Sequence, residues 1–473
     1  LYLQNIPQFV VALLALWKLG ATALILNPMY RRAELRRLVD DAGATGFVCR
    51  DADLEESLET LAGSSVRWTV TTSDRDYQTR NDPRVLPELT HPTASPANDL
   101  RALVSARLGQ GPPGLELTGD DIALLTYTSG TTGPPKGAMN THANLVAVTS
   151  TYAAWTGLES GDVVFAMAPL FHITGAVVNA TVALLADATL ALAGRFHPEV
   201  ALETFVEQGV TTTIGSITAY NAMAAVPWVG ADHFASVKVL CSGGAPIPPA
   251  TVERFEERFG HYIHNAYGMT ETSSAVIVVP IASRAPVESA SGTLAIGMPL
   301  PGLTARVVAP DGTPRPPLQQ GELELTGPQV VPGYWRRPED TATTMPGGRL
   351  RTGDVAIIDA EGWVYLVDRL KDQINVSGYK VWPREVEDAL YEHPDVREVA
   401  VVGEPDEYRG ESVAAYVSLR AGAVATPESL VAHARKRLAA YKVPRRLEII
   451  DELPKAQTGK IRRNVLRDRG AKP

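Results

Sequence analysis

Cysteine is nearly absent from this 473-residue chain: there are two, Cys49 and Cys241, in neither a C-x-x-C nor a disulfide-framework spacing. That excludes a disulfide scaffold and argues against structural zinc, and it makes a reducing, cytoplasmic compartment the default expectation. A surplus of positive charge is also lacking. With 44 Lys and Arg against 53 Asp and Glu the net charge is −9, which argues against a general nucleic-acid binder, because such proteins carry excess cations to neutralise phosphates. Nor does the early apolar run reach membrane length. Residues 9–17 are apolar for nine positions before Lys18 interrupts them, whereas a bilayer-spanning helix needs about 20. No basic segment precedes the run as a signal peptide requires, so it reads as a buried helix; peripheral contact with a membrane surface is left open. What is present is an ordinary globular composition, 45% hydrophobic and 21% charged, with room for a large core and more than one domain.

The most informative stretch is 127–138, Tyr-Thr-Ser-Gly-Thr-Thr-Gly-Pro-Pro-Lys-Gly-Ala, which follows an apolar run at 122–125 that reads as a buried strand. Gly130 and its neighbouring glycines let backbone N–H groups converge, Thr128, Ser129, Thr131 and Thr132 offer hydroxyl donors, and Lys136 adds charge. Such a loop suits phosphate, although a surface Gly/Ser/Thr turn has the same composition. The P-loop of nucleotide triphosphatases is excluded, since it needs glycine before the lysine and Ser or Thr after it, and here Pro135 and Gly137 flank Lys136.

Strand and helix patterns alternate along the chain. Helices are expected at 31–42, 144–155, 198–208 and 249–259, and strands at 22–26, 46–49, 163–169, 210–216, 237–242 and 262–266. Residues 71–118, rich in Pro, Thr, Asp and Gly, read as a long surface excursion. After 303 the pattern turns β-rich, with strands at 304–308, 322–326, 355–359 and 363–367. The fold class expected is α/β: a large N-terminal domain of layered sheets flanked by helices plus a β-rich subdomain, spanning 1–368, and a small mobile α+β C-terminal domain spanning 369–473. The basic last segment of that small domain reads either as a solvated surface or as a patch for ligand phosphates.

Four further motifs follow in order. They are Ser242-Gly243-Gly244-Ala245-Pro246 after an apolar strand, Asn265-Ala266-Tyr267-Gly268-Met269-Thr270-Glu271 where a strand is expected to run into a loop, Arg351-Thr352-Gly353-Asp354 with Asp368-Arg369-Leu370-Lys371 beyond it, and Pro454-Lys455-Ala456-Gln457-Thr458-Gly459-Lys460. Each alone could be a capped turn. Together with the phosphate loop they resemble, in number and order, the signatures of adenylate-forming enzymes: acyl-CoA synthetases, adenylation domains and beetle luciferases, and within them bacterial fatty-acyl-CoA and aryl-CoA ligases.

The resemblance implies ATP, Mg2+ and coenzyme A as cofactors and substrates. It implies an adenine-side loop at Gly243, Gly244, Ala245 and Pro246, adenine packed on Tyr267, ATP or AMP contacts from Asn265 and Gly268, α-phosphate contact by Thr270, Mg2+ held by Glu271, ribose held by Asp354, and Arg369 near the nucleotide. It implies a domain hinge at Lys371, a pantetheine tunnel at Ser377 and Gly378, and Lys460 rather than Lys455 as the lysine that enters the site. Residue types fit these roles: an aromatic face for a base, a carboxylate for ribose hydroxyls, a hard oxygen for a hard cation. Pro169-Leu170-Phe171-His172-Ile173-Thr174-Gly175 resembles the family's acyl-site segment, with His172 near the substrate carboxylate or, equally, a satisfied core histidine. An apolar acyl pocket is expected from Ile173, Ile217, Thr218 and Met269.

The chain begins at Leu1 rather than Met, and the resemblance leads us to expect a further N-terminal piece. The function expected is ligation of a monocarboxylic acid to coenzyme A through an acyl-adenylate, fatty acyl first and aryl second. No arginine lies near 267–279 to pair a second carboxylate, which disfavours malonate-like acids. A small-molecule acid, ATP and CoA are the expected partners; a homodimer and a discrete carrier protein in trans stay open. The alternatives are an adenylation enzyme that loads a carrier protein, disfavoured for amino acids because Glu271 is the one acid at 210–221 and 266–279, and a silent ATP-binding homologue.

Overall fold

The computed structural model describes the chain except residues 79, 87–97, 113, 129–134, 246, 290–291, 370–371, 378, 407, 457–458 and 471–473, with backbone alone at 369 and 470. One sheet of eleven strands organises the large domain. Its first half is parallel and runs, in spatial order, Thr189–Ala191, Val163–Phe165, Thr212–Gly215, Val239–Gly243, Ile263–Met269. Ser274–Val278 then turns back antiparallel, followed by Ala295–Pro299, Val364–Arg369, Leu350–Ile358, Gly321–Thr326 and Thr304–Val308. The β-rich stretch after 303 is therefore present, and its strands continue this same sheet.

The parallel half is covered on both faces, which is why its strands read as nearly unbroken apolar runs. Helices Pro198–Gln208 and Pro249–Phe259 lie where the sequence pattern puts them, each begun by Pro at its first turn and ended by a left-handed glycine, Gly209 or Gly260. Two core clusters carry the domain, one around Phe9, Leu124, Val177 and Ile277, the other around Phe205, Tyr220, Phe234 and Phe255.

Several features were not among the elements expected. Residues 175–181 form a seven-residue π-helix, Gly175–Thr181, and a Cβ at Gly175 would lie 2.0 Å from Pro169 O, so only glycine admits this close entry. Leu54–Leu61 is a helix, and Trp68–Thr72 pairs in parallel with Gly46–Arg50. Ile122–Tyr127 and Gly137–Thr141 pair antiparallel, so the Gly/Ser/Thr-rich stretch falls between the two strands of a hairpin.

In the small domain, Tyr379–Val381, Ile374–Val376, Gly410–Leu419, Val396–Asp406 and Arg446–Ile449 form a five-stranded sheet. Helices Pro383–Tyr391, Pro427–Arg435 and Arg463–Gly470 accompany it. No helix among the described residues is long and apolar enough to cross a membrane.

Candidate active site

Parallel strands deliver their carboxyl ends to one edge, where ligands of such sheets bind. The register sets Asn265 beside Ser242 and Ala266 beside Gly243, which brings two of the sequence motifs side by side. Asn265 Nδ2 and Ser242 Oγ are buried, and neither has a hydrogen-bond partner among the described residues. Buried polar groups rarely stay unsatisfied, so this pair suits a ligand with its own donors and acceptors, such as a purine.

Tyr267 and Gly268 were expected in a loop; they belong to the strand Ile263–Met269. The register slips between them, and a Cβ on Gly268 would sit 1.8 Å from Ser274 O, so the neighbouring strand approaches too closely for any other residue. The Tyr267 hydroxyl donates to Asp354 Oδ2 at 2.7 Å. Asp354 is 1% exposed and pairs in register with residue 369.

After Met269 the chain makes a single 3-10 turn, Thr270–Thr272, and then passes through Ser273 and Ser274 at φ 55° and 112°. Strained positions of this kind persist where the surroundings over-determine them. Here Asn140 Nδ2 donates to both Thr270 O and Ser273 Oγ at 3.0 Å, and Val331 N donates to Glu271 O at 2.9 Å. Glu271 is thereby held buried, and Tyr334 O–H donates to its Oε1 at 2.7 Å.

Tyr334 is a residue of this cluster that motif reading missed. Its ring also lies 5.2 Å beneath Lys136 Nζ, which pairs with Asp340 Oδ1 at 2.5 Å. Burial and the adjacent carboxylate push the Tyr334 hydroxyl well above its ordinary range, so it stays a donor. Its sequence context, Gly333-Tyr334-Trp335 before the Pro338–Thr344 helix, was the available signal. Thr128 closes the neighbouring hairpin, its N–H donating to Lys136 O at 2.9 Å, and an open groove of about 480 Å3 beside Tyr334 is lined by Met139, Arg336 and Arg337 among others. Ser129, Gly130, Thr131, Thr132 and Pro246 lie outside the described residues, as do Lys371, Gly378 and the side chain of Arg369. Gly244, exposed with φ 81°, and Ala245 continue from the strand end at Gly243.

The small domain also reaches the large one here. Gly459 has φ 81°, and a Cβ there would meet Thr218 Oγ1 at 2.4 Å and Ser216 Oγ at 2.8 Å, so the loop bearing Lys460 is docked on the start of helix Ile217–Ala224. Lys460 acts electrostatically on His172: burial first, and then the Lys460 ammonium, lower the imidazole from 6.5 to about 4. His172 is therefore neutral at neutral pH, its Nδ1 accepting from Thr174 N at 3.3 Å. Lys455 instead pairs with buried Glu398 at 2.8 Å inside the small domain.

Of the residues expected at an acyl pocket, Ile173 and Ile217 are both buried, each in a different one of the two core clusters. Thr218 is occupied by its 2.7 Å bond to Ser216 and by the docked Gly459, because the chain turns into a helix there and presents its hydroxyls to the small domain. Met269 stays half-buried at the strand end. Ser377, exposed at φ 52°, sits in the small-domain hairpin with its N–H on Arg409 O.

The profile of the AMP-binding enzyme family matches residues 1–335, and that of the AMP-binding enzyme C-terminal domain matches 385–460. The chain belongs to the AMP-binding enzyme family. It is a ligase of the acyl-CoA synthetase type. A long-chain-fatty-acid–CoA ligase of Bacillus subtilis is 34% identical over 98% of this chain and 84% of its own length, and a feruloyl-CoA synthase of an Amycolatopsis species is 35% identical over 98% and 87%. The fold of this AMP-binding enzyme is similar to that of ATP-bound MatB from Rhodopseudomonas palustris, at TM-score 0.84 and 29% identity over 98% of this chain and 86% of that one. Against apo MatB, with the same identity and coverage, the TM-score is 0.75, so the present arrangement is more like the ATP-bound form.

Proposed function

We propose that this AMP-binding enzyme joins a monocarboxylic acid to coenzyme A, with fatty acids favoured and aryl acids second, by way of an acyl-adenylate. The docking of the Lys460 loop against Ser216 and Thr218 carries this reading, because it brings a cation from the small domain to the edge of the sheet where Asn265, Tyr267, Thr270 and Glu271 lie. The names of relatives that act on long-chain fatty acids and on ferulate support the choice of acid.

A carboxylate is a poor acyl donor because its leaving group would be oxide. Attack of the substrate carboxylate on the α-phosphorus of ATP breaks the bond to pyrophosphate and gives a mixed anhydride. A thiol then attacks the acyl carbon, and AMP leaves. The first step needs positioning and relief of charge repulsion more than covalent help. Lys460 offsets the joint charge of carboxylate and α-phosphate, Thr270 donates to a phosphate oxygen, Lys136 serves the outer phosphates, and Asp354 accepts from the ribose hydroxyls. Neutral His172 leaves the incoming carboxylate to Lys460 and can only hydrogen-bond to it.

Among the described residues no group of three or more His, Cys, Asp or Glu could hold a metal by itself. Glu271 is a single, buried, oriented carboxylate, and this fits Mg2+, which proteins usually bind through one or two carboxylates together with nucleotide phosphates. Bound there, the ion would neutralise charge on the phosphates.

The test is ATP- and CoA-dependent AMP release measured across octanoate, palmitate, benzoate, 4-coumarate, malonate and the amino acids. A CoA-requiring maximum among the fatty or aryl acids is expected. Faster turnover of malonate than of octanoate or benzoate would overturn the choice of acid, and amino-acid-dependent pyrophosphate exchange without CoA turnover would favour the carrier-loading alternative.

A further inference from the structure

Arg384 has one of the largest fully buried side chains of the protein, at 2% exposure, and it lies on the boundary between the two domains. It is the second residue of helix Pro383–Tyr391, in the small domain. Its Nη2 donates to Ile247 O at 3.4 Å and its Nη1 to Leu366 O at 3.3 Å, both in the large domain. Its backbone N–H donates to Asp368 Oδ2 at 2.9 Å, and its Nε faces Asp388 Oδ2 at 3.4 Å. Ile247 directly follows the adenine-side loop, and Leu366 and Asp368 precede the expected hinge at residue 371. Trp382, two residues before Arg384, packs on the large-domain cluster that contains Ile247 and Phe255.

A guanidinium is buried only where its donors are met, and its planar fork spreads them over three nitrogens, which here meet two carbonyls and a carboxylate at separate places; the single nitrogen of an ammonium has no such reach. The same helix is coupled to the lysine loop. Three residues on from Arg384, Glu387 takes both of its oxygens to Arg463 Nη2 at 2.7 Å, and Arg463 stands three residues after Lys460. Glu387 also accepts from Val401 N at 2.8 Å, so the pair is fixed to the small-domain sheet. One short chain of contacts thus runs from the adenine-side segment through Arg384, its helix and Arg463 to the loop that carries Lys460.

We propose that Arg384 is an inter-domain latch: a positioning residue whose bonds to Ile247 O and Leu366 O hold the small domain where Lys460 reaches the site. The assignment of that arrangement to the adenylation step rests on the function proposed above. Turning the small domain about the segment near 371 takes Arg384 away from Ile247 O and returns its charge to water, while Asp388, four residues on in the same helix, travels with it. The latch therefore favours the docked arrangement without chemistry of its own.

Both native cysteines are buried, so spin labels can be directed to Glu257→Cys in the large domain and Glu428→Cys in the small one, two exposed positions. Pulsed electron resonance on the full chain without nucleotide is expected to give one dominant distance with Arg384 intact. Arg384→Met should add a second, well-populated distance, and Arg384→Lys a smaller one, with thermal unfolding confirming that each variant is folded. If the Met variant does not fold, the Lys variant decides on the same criterion. Distance distributions unchanged by either substitution would overturn the latch. Pyrophosphate exchange with octanoate should fall about 10-fold in Arg384→Met while thioester formation from prepared octanoyl-adenylate and CoA stays within about twofold; equal loss in both would also overturn it. Lys460→Ala reports on the function instead: if it retains exchange, the docked arrangement is not the adenylating one, whatever the distances say.

Discussion

Replacing Gly459 by Ala is a test in which the geometry sets the size of the effect. The new Cβ would lie 2.4 Å from Thr218 Oγ1 and 2.8 Å from Ser216 Oγ. Ordinary carbon–oxygen contact needs about 3.3 Å, so the loop must retreat by roughly 1 Å. The two hydroxyls cannot simply rotate apart, because they are bonded to each other at 2.7 Å. Gly459 also has φ 81°, where a side chain adds about 1–2 kcal/mol of strain. A misplacement of about 1 Å in a reacting group can cost on the order of 100-fold in rate. Pyrophosphate exchange, which reads the first half-reaction, should therefore fall between about 10- and 100-fold. Thioester formation from a prepared acyl-adenylate should change little, and so should the unfolding temperature, since the loop lies at the surface of the small domain. Adding Thr218→Ala removes the tighter of the two clashes and should restore part of the loss, a non-additivity expected only of residues in contact. Exchange within threefold of the parent in Gly459→Ala alone would refute the reasoning.

Tyr334→Phe keeps the ring beneath Lys136 but leaves a buried Glu271 oxygen without its donor; urea unfolding should show a loss of about 1.5–3 kcal/mol, the usual cost for a hydrogen bond to a charged group. Asp354→Asn keeps the shape but weakens acceptance from ribose, and calorimetric titration should find ATP bound about 10-fold more weakly. His172 gives a pH signature. Its pKa is lowered from 6.5 to about 4, so between those values the unfolded chain takes up a proton that the folded one refuses. Stability present above about pH 6.5 is lost as pH falls towards 4, by at most about 2 kcal/mol between pH 7 and 5, and by less to the extent that partial exposure admits water. His172→Asn should flatten that part of the stability profile, measured by urea unfolding at the two pH values.

Much of the fold was legible because local rules and tertiary packing agree. Helices Pro198–Gln208, Pro249–Phe259 and Pro383–Tyr391 carry their start and stop signals in sequence, and their bounds follow from them. The π-helix Gly175–Thr181 has no such signal: its apolar run fits helix or strand alike, and its extra width comes from packing under Pro169. Ile173 and Ile217 follow the pattern of apolar residues near the motifs, but that pattern does not tell which core cluster each side chain joins.

By itself the sequence determined the family and the chemistry of single positions. A tyrosine, a hydroxyl, a carboxylate and a lysine at fixed places among glycines name the ligand groups they can serve, because those capacities belong to the residues. Only the tertiary structure decided which of them meet. Tyr334 reaches Glu271 across 63 positions of chain, Tyr267 reaches Asp354 across 87, and Arg384 reaches Ile247 across 137. The physical reason is that sheet register and domain docking are set by the burial of whole faces, summed over many side chains, and no local stretch of sequence contains that sum.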